Sequence, residues 1–137
     1  RAALEEGIIP GGGTALLYAS SGLEVKSTGA AIVKQACAKP FNQILVNAGH
    51  EEVSAKIIAD GMINSGNDGW LGFDIKSSNT VDMKEAGIID PTKVARTALE
   101  NAASVAGTVL LTECTVVDEL EEDNNQPQID PSMMMGM

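Results

Sequence analysis

The stretch Gly87-Ile88-Ile89-Asp90-Pro91-Thr92-Lys93-Val94, with the helix it begins, constrains this chain more than any other feature. Asp90 has the chemistry of an N-cap, because its carboxylate can accept from the free amides of a first helical turn. Pro91 suits the first helical position, where a missing N–H costs nothing. Beyond it Val94, Ala98, Ala102, Val105 and Val109 recur at three- and four-residue steps, the stripe of an amphipathic helix. Ala95, Ala103, Ala106 and Gly107 let neighbours approach closely. The expectation is a long helix that acts as the structural spine, flanked on each side by a β-branched segment.

The composition agrees with a mainly helical fold. The 137 residues are about one domain and can bury a core. The hydrophobic fraction is 44% but the aromatic fraction only 3%, so Ala, Val, Ile and Gly must do the packing, as in closely spaced helices. No apolar run approaches the ~18 residues of a membrane-spanning helix. A formal charge of −10 and a pI near 4.3 argue against a partner bound through nucleic-acid phosphates. Part of that charge is local, in Asp118, Glu119, Glu121, Glu122 and Asp123, which reads as a solvated segment. Cys37 and Cys114 are the only cysteines and His50 the only histidine, so no metal site is expected. The cysteines read as free thiols of a reducing compartment. Asp74, Asp82 and Asp90 lack the His, Cys or second carboxylate at a defined spacing that acid–base catalysis needs, so no catalytic residue is assigned.

Arg1 to Gly7 reads as the last turn of a helix with its glycine stop, as if the chain were a piece of something longer. Ile8-Ile9-Pro10-Gly11-Gly12-Gly13 then opens a helix over Thr14–Ser20. Three glycines expose backbone amides to which a nucleotide or phosphate can come close, but taken alone the run reads first as a tight helix–helix turn. The run fits neither the dinucleotide fingerprint nor the phosphate-loop pattern. A helix is expected over Gly29–Lys39 with Ile32, Val33, Ala36 and Cys37 inward, then an interruption at Pro40 and a short helix through Phe41, Ile44, Leu45 and Ala48 to Gly49. Glu51 and Glu52 favour the start of the next helix, whose Val53, Ile57 and Ile58 are expected to face the core, with His50 a capping or surface group. Trp70–Ile75 and Thr80–Met83 read as a hairpin around Ser77-Ser78-Asn79. Leu110–Val117 is short, apolar and β-branched, a strand with no obvious partner. Residues 119–137 show no periodicity and end in Met133-Met134-Met135-Gly136-Met137, the pattern of a flexible acidic tail with an adaptable apolar end.

Four stretches, RAALEEGIIPGGGTALL, KPFNQILVNAG, EAGIIDPTKVARTALENAASVAG and LLTECTVVDE, resemble in order and spacing the C-terminal part of group I, GroEL-type chaperonins. The ending is similar to that family's Gly-Gly-Met tail. The resemblance implies that residues 1–118 are the C-terminal half of the equatorial, ATP-binding domain and 119–137 its tail. It implies a mainly α fold with a small β-hairpin and a C-terminal strand that pairs with an N-terminal segment and a neighbouring subunit's hairpin.

For the site, the resemblance puts Gly11 and Gly12 beside the ribose and adenine of ATP, Ile88 against the adenine and Asp90 at the ribose hydroxyls. Asp74-Ile75-Lys76 corresponds to the segment passing the adenine edge, where backbone contact is the safer expectation because Lys76 replaces a residue that is commonly small. The family's Gly-Asp-Gly-Thr-Thr phosphate loop and its hydrolysis-promoting carboxylate have no counterpart here, so the cofactor expected is ATP with Mg²⁺ whose phosphate and metal ligands lie elsewhere. The implied whole is an ATPase of two stacked sevenfold rings with a co-chaperonin lid and non-native polypeptides as substrates, in the bacterial cytoplasm or the mitochondrial matrix. A stand-alone acidic helical interaction module, its glycines and Asp90 serving only turns and caps, is the competing reading.

Overall fold

The computed structural model describes residues 1–66 and 68–117; the expected acidic and Met-rich tail lies outside them. The elements run α1 (Ala2–Glu6), β1 (Ile8–Pro10), α2 (Thr14–Ser21), α3 (Thr28–Asn47), α4 (Glu52–Asn64), β2 (Leu71–Asp74), β3 (Asn79–Asp82), β4 (Ile89–Pro91) and α5 (Thr92–Leu111). The fold is mainly helical, as composition requires.

The core lies between α2, α3 and α4, where Leu17, Phe41, Leu45, Ala55, Ala59 and Met62 form one buried cluster. Ser27 caps α3 by accepting from the Ala30 amide at 3.2 Å. That helix is a single element, and Pro40 does not interrupt it. A proline inside a helix costs about 3 kcal/mol. Cys37, Phe41 and Leu45 recur at four-residue steps across it and are all buried, and burying two side chains such as Phe and Leu returns about 1.5–3 kcal/mol each. Packing therefore outweighs the lost backbone bond. The inward face of α3 is this stripe, and Ile32, Val33 and Ala36, expected inside, are exposed. In α4 the buried residues are Ala55, Ala59 and Met62, while Val53 and Ile57 are exposed and Ile58 only partly covered. Small residues meet α3 there, letting the two axes close.

The expected hairpin is present as β2 and β3, antiparallel, with Leu71 opposite Asp82 and Asp74 opposite Asn79. The Tyr18 hydroxyl holds it to α2 by donating to the Leu71 carbonyl at 2.9 Å. A second pair, unforeseen, joins β1 to β4 with Ile9 opposite Asp90. This ladder changes the start of α5. Asp90 is committed to extended backbone, Pro91 occupies the capping position, and no side chain caps the helix. Asp90 is thus not an N-cap. The Thr92 amide donates instead to the Gly7 carbonyl at 3.1 Å.

No residue of α5 is buried, and Val94, Ala98, Ala102, Val105 and Val109 are all exposed. Within this chain α5 is not the spine. It is held at its first turns by charge: Lys93 pairs with Glu5, and Arg96 forks onto Glu6 at 2.6 and 3.0 Å and onto Glu100 at 2.9 and 3.0 Å. The Arg96 guanidinium, bonded to Glu6, holds that carboxyl below its usual range. The expected C-terminal strand does not form. Leu110 and Leu111 belong to α5, and 112–117 have no regular structure. A lone strand leaves a row of backbone groups unpaired, whereas the helix satisfies them internally as far as it runs.

Leu45→Ala should lower stability by about 2–5 kcal/mol and Val105→Ala by no more than about 0.5 kcal/mol, as read by urea unfolding of this chain. A larger loss at Val105 than at Leu45 would contradict the core described here.

Candidate functional site

The three-glycine turn between β1 and α2 comes close to two distant segments. The Gly11 amide donates to the Ile88 carbonyl at 3.0 Å, and a Cβ on Gly11 would stand 3.1 Å from that same oxygen. Gly13 has φ of +76°, and a Cβ there would lie 2.7 Å from the Phe41 nitrogen and 3.1 Å from the Pro40 carbonyl carbon. Glycine is therefore required at Gly13 twice, by backbone conformation and by the approach of α3. The turn fixes where α2 begins and seats it on α3 at the proline.

These contacts frame a cleft of about 230 Å³. One wall is Gly12, a second is Phe73-Asp74-Ile75-Lys76 at the end of β2, a third is Ile88, and the floor is Phe41, Ile44 and Leu45 of α3. Five of the seven residues singled out from the sequence (Gly12, Asp74, Ile75, Lys76 and Ile88) thus line one space. Gly11 adjoins it through its bond to Ile88. Asp90 does not line it. It is exposed on β4, two residues beyond Ile88, the spacing that returns a side chain to the same side of an extended chain. A larger groove of about 850 Å³ runs between α2, α3 and α4, bordered by Lys34, Lys39, Lys56 and Glu52. None of the seven lines it.

The cleft is apolar in its floor and walls and polar at its rim. The Asp74 carboxylate is engaged in its own turn: it accepts from the Lys76 amide at 3.0 Å and the Ser77 amide at 3.3 Å. The Ser77 hydroxyl above all, then these amides, hold its carboxyl below the usual carboxylate range. The side chain thereby shapes the loop of 74–77 at the cleft's edge. Phe73 is buttressed by His50, whose ring meets it edge-on at 5.5 Å between centroids. His50 is half-buried against the hairpin, and its amide donates to the Leu45 carbonyl at 3.1 Å, at the C-terminal end of α3. Asp74 and Lys76 are the only titratable residues in the lining. Such a cleft suits binding of a flat apolar ring with polar substituents at its edge.

Phe41, Ile44, Leu45 and Phe73 were not foreseen as site residues. Phe41, Ile44 and Leu45 read only as positions of a short helix and Phe73 as part of the hairpin, and nothing local showed that they line a cleft.

The chain belongs to the TCP-1/cpn60 chaperonin family, whose sequence model it matches over residues 1–119. Among solved structures it is similar to a group III chaperonin in the open state, with a TM-score of 0.76 and 28% identity over 84% of this chain. The chain spans 25% of that chaperonin's length.

Two measurements test the site's construction. Gly13→Ala should destabilise the fold by about 2 kcal/mol or more, since strain and overlap act together; a thermal midpoint equal to wild type would refute the close approach. For Asp74, a folded pKa below the unfolded one gives a contribution present above the ordinary carboxylate range and lost as pH falls through the lowered value. The amide resonances of Lys76 and Ser77 should therefore titrate with a midpoint below that of a free aspartate, and Asp74→Asn should abolish the titration.

Proposed function

We propose that this chain forms the adenosine side of the ATP site in the equatorial domain of a group I, GroEL-type chaperonin. The observation that carries the reading is the convergence of Gly12, Ile88 and Asp74-Ile75-Lys76, which are far apart in sequence, on one small apolar cleft. Ile88 packs the adenine face, the main chain of 74–76 meets its polar edge, and Gly11 and Gly12 leave room for ribose beside the backbone. Asp90, free of any capping role, offers its carboxylate to both ribose hydroxyls. Phe41 and Phe73 add aromatic surface to the same cleft.

Phosphoryl transfer needs the phosphates held, Mg²⁺ bound and a water oriented. The residues of this cleft supply none of these, so bound ATP would reach beyond them for its phosphate and metal ligands. The whole protein, on this reading, is an ATPase of two stacked sevenfold rings. Nucleotide-driven changes enclose non-native polypeptide beneath a co-chaperonin lid, in a bacterial cytoplasm or a mitochondrial matrix.

The test is Asp90→Ala in the assembled full-length protein. Losing a charged hydrogen bond worth about 1.5–3 kcal/mol should weaken adenine-nucleotide binding roughly 10- to 100-fold. The thermal midpoint should stay near wild type, because Asp90 caps nothing. Unchanged affinity would overturn the reading and favour a module that binds no nucleotide. The 137-residue chain by itself should hydrolyse ATP no faster than buffer in a phosphate-release assay.

A further inference from the structure

Met83 is 1% exposed, yet it is not part of the buried cluster between α2, α3 and α4. Its side chain lies behind the cleft, in a corridor bordered by two residues that lack Cβ atoms. A Cβ on Gly72 would overlap its Cγ and Sδ, and a Cβ on Gly12 would rest 3.7 Å from its Cε. Its main chain joins the same parts. The Met83 amide donates to the Trp70 carbonyl at 2.9 Å, and its carbonyl accepts from the Ile88 amide at 2.9 Å. Ile88 in turn accepts from Gly11. One residue therefore touches, directly or through a single hydrogen bond, the hairpin, Ile88 and the glycine turn, which are the three walls of the cleft.

We propose that Met83 is a positioning residue that sets the spacing of these walls and so the affinity of the site for the adenosine part of its nucleotide. This inference rests on the adenosine reading above. An unbranched thioether can thread between Gly72 and Gly12, whereas a branched side chain of equal volume presses on one or the other. Shortening it leaves a void into which the glycine turn or the hairpin can settle. Gly72 is the reciprocal element, since any side chain there pushes Met83 toward Gly12.

The experiment uses the full-length assembled protein, with adenosine diphosphate binding by calorimetry and steady-state ATP hydrolysis as readouts. Met83→Ala and Gly72→Ala should each raise the Kd and the KM about tenfold with kcat within about twofold, the signature of lost ground-state binding. The double variant should also lie near tenfold and not a hundredfold, because both changes act through one contact. Met62→Ala, equally buried but in the main core, should lower the thermal midpoint and leave KM within about twofold. If Met83→Ala does not fold, Met83→Leu keeps the volume and should still weaken binding. Wild-type affinity in the Met83 variants overturns the inference, as does a double variant whose effects multiply or a KM shift in Met62→Ala equal to that in Met83→Ala. A wild-type protein that binds no adenine nucleotide overturns the site reading itself, and this inference with it.

Discussion

The antiparallel pairing of Ile8–Pro10 with Ile89–Pro91 is the constraint on which the rest of the arrangement depends. It joins segments far apart in the sequence. By doing so it sets the glycine turn against Ile88 at one end and α1 against the start of α5 at the other. Each strand is three residues long, too short to be stable in isolation. The ladder survives because its surroundings extend it: Gly11 bonds to Ile88 beyond one end and Thr92 to Gly7 beyond the other. Glu5, Glu6, Lys93 and Arg96 then add charge pairs across α1 and α5. Exposed pairs of this kind contribute little singly, and their use here is to fix register and direction.

The same pairing explains why the site is made of loops and strand ends while the core is made of helices. A helix covers its own backbone, so a ligand that needs main-chain groups must meet them where helices stop. Gly11–Gly13, Asp74–Lys76 and Ile88 are such places, and α3 passes beneath all of them with Phe41, Ile44 and Leu45 uppermost. The α3 stripe thus has two uses. Leu45 and Phe41 are core residues by burial, and they also supply the floor of the cleft. Rigidity of the floor follows from packing, and openness of the rim follows from glycine and turn geometry.

Sequence made some of this legible and concealed the rest for physical reasons. The hairpin was visible because alternating apolar residues flank a turn-forming run, a local signal. The ladder between β1 and β4 had no local signal at all, since its partners are distant and each ends in proline. Asp90 illustrates the consequence. Its cap chemistry is real, but the ladder claims its backbone, and a residue held extended at that register stands one position too early to cap. Pro40 was read as a break because proline usually is one, while the stripe Cys37–Phe41–Leu45 continues through it in phase. The cleft residues came from family resemblance and not from spacing, and Met83, which links its walls, gave no sign beyond being apolar.

The periodic face of α5 is the clearest case of a correct pattern with an incomplete context. Twenty residues with Val94, Ala98, Ala102, Val105 and Val109 in phase form a helix, yet each of these side chains remains exposed. Periodicity reports that a face is apolar; it does not report that the covering partner lies in the same chain. The described chain also spans only a quarter of the group III chaperonin it resembles. The segment Leu110–Val117 shows it again: with no strand beside it among the described residues, the backbone continues the helix as far as Leu111. The cleft differs because its walls are tied together by bonds internal to this chain, Gly11 to Ile88 and Ile88 to Met83. Those bonds hold the walls of the cleft to one another, whereas no residue of α5 is buried.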